Sequence, residues 1–148
     1  MYEEKLKLNL GCGQAQFTDA INVDKDDFGQ EVIRDINRGL PFEDNRFESV
    51  YTAHFMEHIK SGEDLYFVLS EIYRVTKPGG KVWIIVPHTS CQEAFYPDHL
   101  SFWNESVMKV ICNDADFSQR QEKYKYKFKI LEMERIIYEL RTTLEIIK

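Results

Sequence analysis

Ser61-Gly62-Glu63-Asp64-Leu65-Tyr66-Phe67-Val68-Leu69-Ser70-Glu71-Ile72-Tyr73-Arg74-Val75-Thr76-Lys77-Pro78-Gly79-Gly80-Lys81-Val82-Trp83-Ile84-Ile85-Val86-Pro87 is the stretch that decides the fold. Leu65, Val68, Leu69, Ile72 and Val75 recur at helical spacing and form one apolar stripe, so residues 62–77 are expected to be an amphipathic helix. Ser61-x-x-Asp64 resembles a capping box at its start, and Lys77-Pro78-Gly79-Gly80 supplies the stop. Lys81–Pro87 is then nearly all apolar, as a strand covered on both faces of a parallel sheet should be. With Ser49–Ala53 ahead of the helix as a further strand, the segment reads as a β-α-β crossover unit.

Working outward, Leu6, Leu8 and Leu10 alternate and run into Gly11-Cys12-Gly13, a strand ending in a glycine turn. Ile21–Asp24 and, more weakly, Glu31–Asp35 are two more short strands. Lys123–Ile130 alternates lysine with Tyr124, Tyr126, Phe128 and Ile130, the pattern of a half-exposed antiparallel strand, and Thr142–Ile147 is its partner. The fold class is thus α/β, a reduced Rossmann-like, doubly wound and mostly parallel sheet of seven strands closing in a C-terminal antiparallel hairpin. Only about nine residues separate the first two strands and about six the next pair, fewer than the ten or more a helical crossover takes. One face of the sheet should therefore be under-covered, which favours a homodimer.

The chain has 148 residues, 43% of them hydrophobic and 14% aromatic, enough for one domain spanning 1–148 and too few for two. Its 19 Lys plus Arg against 25 Asp plus Glu leave a formal charge of -6, which disfavours general nucleic-acid binding. The lysine row at 123–129 does not reverse this: strict alternation turns aromatics inward and lysines outward, a common way to blunt a sheet edge. The longest apolar run, Val82–Val86, is far short of the roughly 20 residues that cross a bilayer. Met1–Lys7 has no apolar signal core, so a cytoplasmic location is expected. Cys12, Cys91 and Cys112 are odd in number and widely spaced, and read as reduced thiols rather than a disulfide framework or a zinc site.

Gly11 and Gly13 let backbone approach a ligand closely, and Asp24, at the end of the next strand, can accept two ribose hydroxyls. A tight turn alone is the competing reading of a lone G-x-G. A nicotinamide site fits poorly, because Gln16 stands where the third glycine is needed and Asp24 follows Gly11 by 13 residues instead of about 20.

Leu10-Gly11-Cys12-Gly13, Asn22-Val23-Asp24, Asp35-Ile36 with Leu40-Pro41-Phe42, Phe47-Glu48-Ser49-Val50, His54-Phe55-Met56-Glu57-His58 and Glu71–Gly80 follow one another in an order that resembles class I S-adenosylmethionine-dependent methyltransferases, in particular the small methyltransferase type 11 group. The resemblance covers roughly residues 6–88. It implies S-adenosylmethionine as cofactor, with Gly11, Cys12 and Gly13 lining its methionine part, Asp24 on the ribose hydroxyls and Lys25 beside the adenine. It further implies that Asp35 accepts from the adenine amino group, that Ile36 offers its backbone N–H, and that His54 lies near the methionine amine or sulfonium. The chain departs from the pattern at Ala15, where a third glycine is common, at Glu48, where aspartate is usual, and in lacking the helices that usually precede the first strand.

His54-x-x-Glu57-His58 also matches H-x-x-E-H, in which two histidines hold zinc and the glutamate activates water. The context opposes zinc hydrolysis, since His54 follows a strand directly, and no metal ligands are assigned; His58 reads more simply as a residue starting a helix. His88, at the end of the fifth strand, and His99, in a polar and aromatic loop, are the candidate proton acceptors, each having a plain loop role as its alternative. Phe95, Tyr96 and Trp103 are candidate walls of an acceptor site, core packing being the competing reading for Trp103. No Asn-Pro-Pro-Tyr-like tetrapeptide, the usual sign of adenine or glutamine amide methylation, is present. The expected activity is methyl transfer to an oxygen or nitrogen of a small-molecule or sugar-like acceptor. A cofactor-binding partner subunit without catalysis is the alternative, and a zinc hydrolase using His54, Glu57 and His58 a remote one.

Overall fold

The computed structural model describes residues 5–112 and 124–148. Seven strands make one sheet: β1 (Lys7–Leu10), β2 (Ile21–Asp24), β3 (Val32–Ile33), β4 (Phe47–Ala53), β5 (Thr76–Pro87), β6 (Phe128–Ile136) and β7 (Glu139–Ile146), in the order β3-β2-β1-β4-β5-β7-β6. The first five are parallel, while β7 runs antiparallel between β5 and β6. The expected mostly parallel sheet with a C-terminal hairpin is present, with different edges. β6 begins at Phe128 and extends to Ile136; Lys123 lies outside the described residues, and 124–127 is not strand. The alternation itself holds, with Tyr126 and Phe128 buried and Lys125, Lys127 and Lys129 exposed.

Helix α1 (Glu63–Val75) buries Leu65, Val68, Leu69, Ile72 and Val75, the stripe read from the sequence. Its start differs from the capping-box expectation: Gly62, at φ 92°, occupies the cap position without a side-chain bond, and Ser61 Oγ donates instead to the carbonyl of Leu100. Lys77–Gly80 is not a free turn but an irregularity within β5, where pairing with β4 jumps from Phe47/Thr76 to Ser49/Lys81. Gly80 is obligatory there, because a Cβ would lie 2.6 Å from Thr76 Cγ2 and 2.9 Å from two backbone carbonyl oxygens. Helix α2 (Glu105–Ile111) is capped by Asn104, whose side chain accepts from the Val107 N–H.

A single core joins α1 and α2 to one face of the sheet, through Leu8, Val50, Val82, Ile84, Val86 and Leu144 among others. The other face has no helix among the described residues, as the short β1–β2 and β2–β3 connections predict. The loop after β1 covers part of it, with Phe17 packed on Tyr51 at 5.0 Å between ring centres, but Trp83 remains 38% exposed.

Glu31 fastens the β2–β3 edge. Its carboxylate accepts from Lys5 Nζ at 2.6 Å and from the backbone and side-chain N–H groups of Asn22 at 3.1 and 2.9 Å. Burial alone would raise this carboxyl, but the bonds from Lys5 and Asn22 outweigh it and bring it from an ordinary 4.5 down to about 2. A carboxyl whose pKa falls on folding contributes fully above its unfolded value and loses that contribution as pH drops through the folded one. Urea midpoints should therefore decline as pH falls from about 4.5 towards 2. Glu31→Gln should be less stable than the parent at pH 7 and show a shallower decline across that window.

Candidate functional site

A cavity of about 540 Å³ opens at the carboxyl ends of β1, β2 and β4, where the strand order reverses direction. Open α/β sheets place their ligands at this switch point, and the volume is that of a small-molecule site. Leu10, Gly11 and Gly13 come from the end of β1, Asp24, Lys25 and Phe28 from the end of β2, Arg34–Asn37 from beyond β3, and His54 and Phe55 from the end of β4. Asp98 and Leu100 close the remaining side from the long connection after β5.

The glycine turn is shaped by hydrogen bonds to the neighbouring strand. The N–H groups of Gly11 and Cys12 both donate to the carbonyl of Val23, and the Gly13 N–H donates to Asp24 Oδ2 at 2.9 Å. The Asp26 N–H holds Asp24 Oδ1 at 3.1 Å, so the carboxylate is fixed by two backbone donors and keeps acceptor capacity for a ligand. Asp35 caps a single 3-10 turn, Ile36–Arg38, by accepting from the Asn37 N–H, which seats buried Ile36 in the cavity wall.

Seven of the eight residues expected around a cofactor, Gly11, Gly13, Asp24, Lys25, Asp35, Ile36 and His54, thus line one cavity. Cys12 does not. Its side chain is buried, and burial together with the nearby Asp24 charge pushes the thiol up to about 11, so it is an inert core group. His54 sits in the left-handed region at φ 52°, uncommon for a side-chain-bearing residue, and Glu139 of β7 holds its Nε2 at 2.7 Å. Sequence reasoning missed that partner, which is 85 residues away, and also Phe28 and Phe55, which carry no local signal of their own.

The two histidines expected as proton acceptors are placed differently. His88 is buried: its Nδ1 accepts from the Ser90 N–H at 3.0 Å and its Nε2 meets Glu105 Oε2 at 2.7 Å. An accepting Nδ1 leaves the ring proton on Nε2, so His88 is a staple between the end of β5 and the start of α2. It does not line the cavity. His99 is also off the cavity wall, with Nδ1 at 3.1 Å from the Ala94 carbonyl and its ring 5.0 Å from that of His58. Trp103 is fully buried core, while Phe95 and Tyr96 are about half exposed and stand outside the cavity.

The H-x-x-E-H run folds in a way no helix would allow. His54 ends in the strand exit, and Met56–His58 is a separate 3-10 turn. Glu57 is almost completely buried; burial, aided by the Asp98 charge, pushes its carboxyl up to about 7, and its Oε2 has no partner among the described residues.

The sequence profile of a family described as "Methyltransferase domain" matches residues 21–84. The ubiquinone/menaquinone biosynthesis C-methyltransferase UbiE of Rickettsia felis is 32% identical over 94 residues, 64% of this chain and 36% of that protein. Residues 21–84 are thus similar to a methyltransferase domain. The chain spans little more than a third of this relative's length. Two solved structures share the fold at low identity. A protein of Pyrococcus horikoshii superposes with a TM-score of 0.69 at 18% identity, over 95% of this chain and 81% of the other. The 1,6-didemethyltoxoflavin-N1-methyltransferase of Burkholderia thailandensis, solved with that substrate and S-adenosylhomocysteine, gives 0.68 at 13% over 96% and 71%. No helix among the described residues is long and apolar enough to cross a membrane.

Gly11 is the position on which the cavity is least tolerant. At φ 67°, a Cβ there would lie 2.2–2.6 Å from the Cβ and ring carbons of Phe55. Gly11→Ala should lower unfolding free energy by about 1–3 kcal/mol in urea titrations, from a strained backbone together with overpacking.

Proposed function

We propose that this chain binds S-adenosylmethionine in the cavity at the ends of β1, β2 and β4 and transfers its methyl group to an oxygen or nitrogen of a small-molecule or sugar-like acceptor. The observation that carries the reading is the Asp24 carboxylate, fixed by the Gly13 and Asp26 N–H groups in the wall of a cavity that also holds Gly11, Asp35 and Ile36. The donor set suits a nucleoside: a carboxylate for a diol, a second carboxylate for an exocyclic amine, and Ile36 and Phe28 as apolar surface for a base.

The cofactor supplies a methyl group on a sulfonium, an electrophile that needs no further activation. The chain's own residues bind and orient. Asp24 would accept from the ribose hydroxyls and Asp35 from the adenine amine, with Ile36 adding its backbone N–H and Lys25 standing beside the ring. Gly11 and Gly13 would line the methionine end, and His54, held by Glu139, would stand near it. In-line displacement gains most from alignment and exclusion of water, worth up to several kcal/mol, so a dedicated base is a smaller requirement. His54, His58 and Asp98 at the cavity wall are the polar groups available to an oxygen or nitrogen acceptor.

Calorimetric titration tests the first half: S-adenosylmethionine should bind stoichiometrically and Asp24→Ala should abolish the heat without unfolding the chain. No binding at millimolar cofactor would overturn the reading. A homocysteine-release screen over hydroxylated and amine acceptors tests the second. Turnover with a carbon-methylated product would replace the oxygen or nitrogen assignment, and binding without turnover on any acceptor would make the chain a cofactor-binding partner subunit.

We further assign the bare sheet face to a second copy of this chain. Phe17, Tyr51, Trp83 and Ile85 form a partly exposed apolar strip where crossover helices are absent, and the strip carries the ion-paired Lys7 and Lys81 at its margins. Light scattering at micromolar concentration should give a dimer mass. Trp83→Glu should give a monomer; a monomeric parent would refute the assignment.

A further inference from the structure

We propose that Glu57, His58 and His99 form a binding site for a divalent transition-metal ion, Zn²⁺ being the best match, at the rim of the cavity. One ligand atom from each of the three lies within 4.8 Å of the others. The set is two imidazoles and one carboxylate, a donor combination that suits zinc and its neighbours and not Mg²⁺ or Ca²⁺, which take oxygen.

The surrounding bonds present the correct atoms. His99 Nδ1 is 3.1 Å from the Ala94 carbonyl and His58 Nδ1 is 3.2 Å from the Asp98 carbonyl. A carbonyl only accepts, so both rings carry their proton on Nδ1 and leave Nε2 bare as a donor of electrons. A backbone carbonyl on the far nitrogen is the usual support of a metal-bound histidine. His58 Nε2 lies 3.7 Å from Glu57 Oε1. The second, independent observation is Glu57 itself: its side chain is only 2% exposed, and Oε2 has no hydrogen-bond partner among the described residues. Burying a carboxylate without a partner is costly, and a cation removes that cost.

Atoms around a tetrahedral ion stand about 3.4 Å apart, closer than the present spread. Glu57 is held in the core, whereas His58 is 40% exposed and His99 partly so, and the two rings can rotate the remaining distance. A fourth position would fall to water, since Asp98 lies on the Nδ1 side of His58, away from the ion. The ion would fasten the segment around His99 to the Met56–His58 turn. His54, the first histidine of the sequence motif, has its Nδ1 4.0 Å from Glu57 Oε1, but its Nε2 is engaged by Glu139 and it stands outside the three-residue cluster.

The site does not depend on the cofactor reading, and the experiment keeps the two apart. The full chain is stripped with chelator and titrated with Zn²⁺, and with Co²⁺ as a visible-absorption probe; S-adenosylmethionine binding is measured on the same preparation. One Zn²⁺ per chain and a tetrahedral Co²⁺ spectrum are expected. His99→Ala and Glu57→Gln should each weaken Zn²⁺ at least about tenfold, and His54→Ala should leave it unchanged. Circular dichroism checks folding, and His58→Ala serves in place of Glu57→Gln if that variant does not fold. Absence of Zn²⁺ binding by the parent, its survival in His99→Ala, or its loss in His54→Ala would overturn the proposal, whatever the cofactor titration gives.

Discussion

The burial of the α1 stripe against one face of the sheet is the constraint on which everything else depends. Leu65, Val68, Leu69, Ile72 and Val75 must reach Val50, Val82 and Ile84, which fixes β4 and β5 as parallel neighbours with α1 between them in sequence. Each such side chain contributes roughly 1.5–3 kcal/mol when fully buried, so the stripe outweighs any single polar contact in the molecule. With β4 and β5 placed, β1 pairs on the other side of β4, and the switch point between β1 and β4 opens the cavity.

The same helix reaches the cavity wall through its one polar intrusion into the core. Glu71, only 8% exposed, accepts from the Leu40 N–H at 2.6 Å and from Arg74, while Arg74 donates to the carbonyls of Leu40 and Phe42 and to Asp44. Burial would raise the Glu71 carboxyl, and these donors hold it below its ordinary value, so it remains ionised in the fold. The segment after the Asp35–Arg38 cap has almost no regular structure of its own. Glu71 and Arg74 supply the hydrogen bonds that a strand or helix would otherwise supply, and so keep Asp35 and Ile36 at the cavity.

What the sequence disclosed follows the range of each interaction. Periodicity is local, and the α1 stripe, the buried run of β5 and the alternation around Phe128 were all legible. Motif residues at strand ends were legible too, because Gly11, Gly13 and Asp24 answer to backbone geometry within their own turns. The burial of the Cys12 side chain was not legible, because a G-x-G turn does not disclose which way its middle side chain faces, and here it enters the core. The partners of His88, Ser90 and Glu105, are not legible at all, because Glu105 becomes a neighbour only after α2 docks. Ser61 was misread as a cap because its hydroxyl is claimed by Leu100, 39 residues on.

That claim is part of a wider arrangement which the histidine motif conceals. The Leu100 and Ser101 N–H groups both donate to the Glu57 carbonyl, Ser101 Oγ donates to the Met56 carbonyl, and Trp103 Nε1 donates to Ser101 Oγ. Three of these bonds stitch the segment around residue 100 to the turn after β4, and the fourth, from buried Trp103, braces Ser101 within the segment. A surface loop seldom receives such treatment unless its position matters, since exposed loops satisfy their polar groups with water. Here the stitching brings Asp98 and Leu100 to the cavity and His99 to Glu57 and His58 at once. In a linear reading, H-x-x-E-H offers His54 and His58 as a pair on one helix. Folding leaves both within 4.0 Å of Glu57 Oε1, but it ties His54 Nε2 to Glu139 and adds a histidine from 45 residues further along the chain, so that the chemistry of the motif resides in the three-dimensional set and not in its spacing.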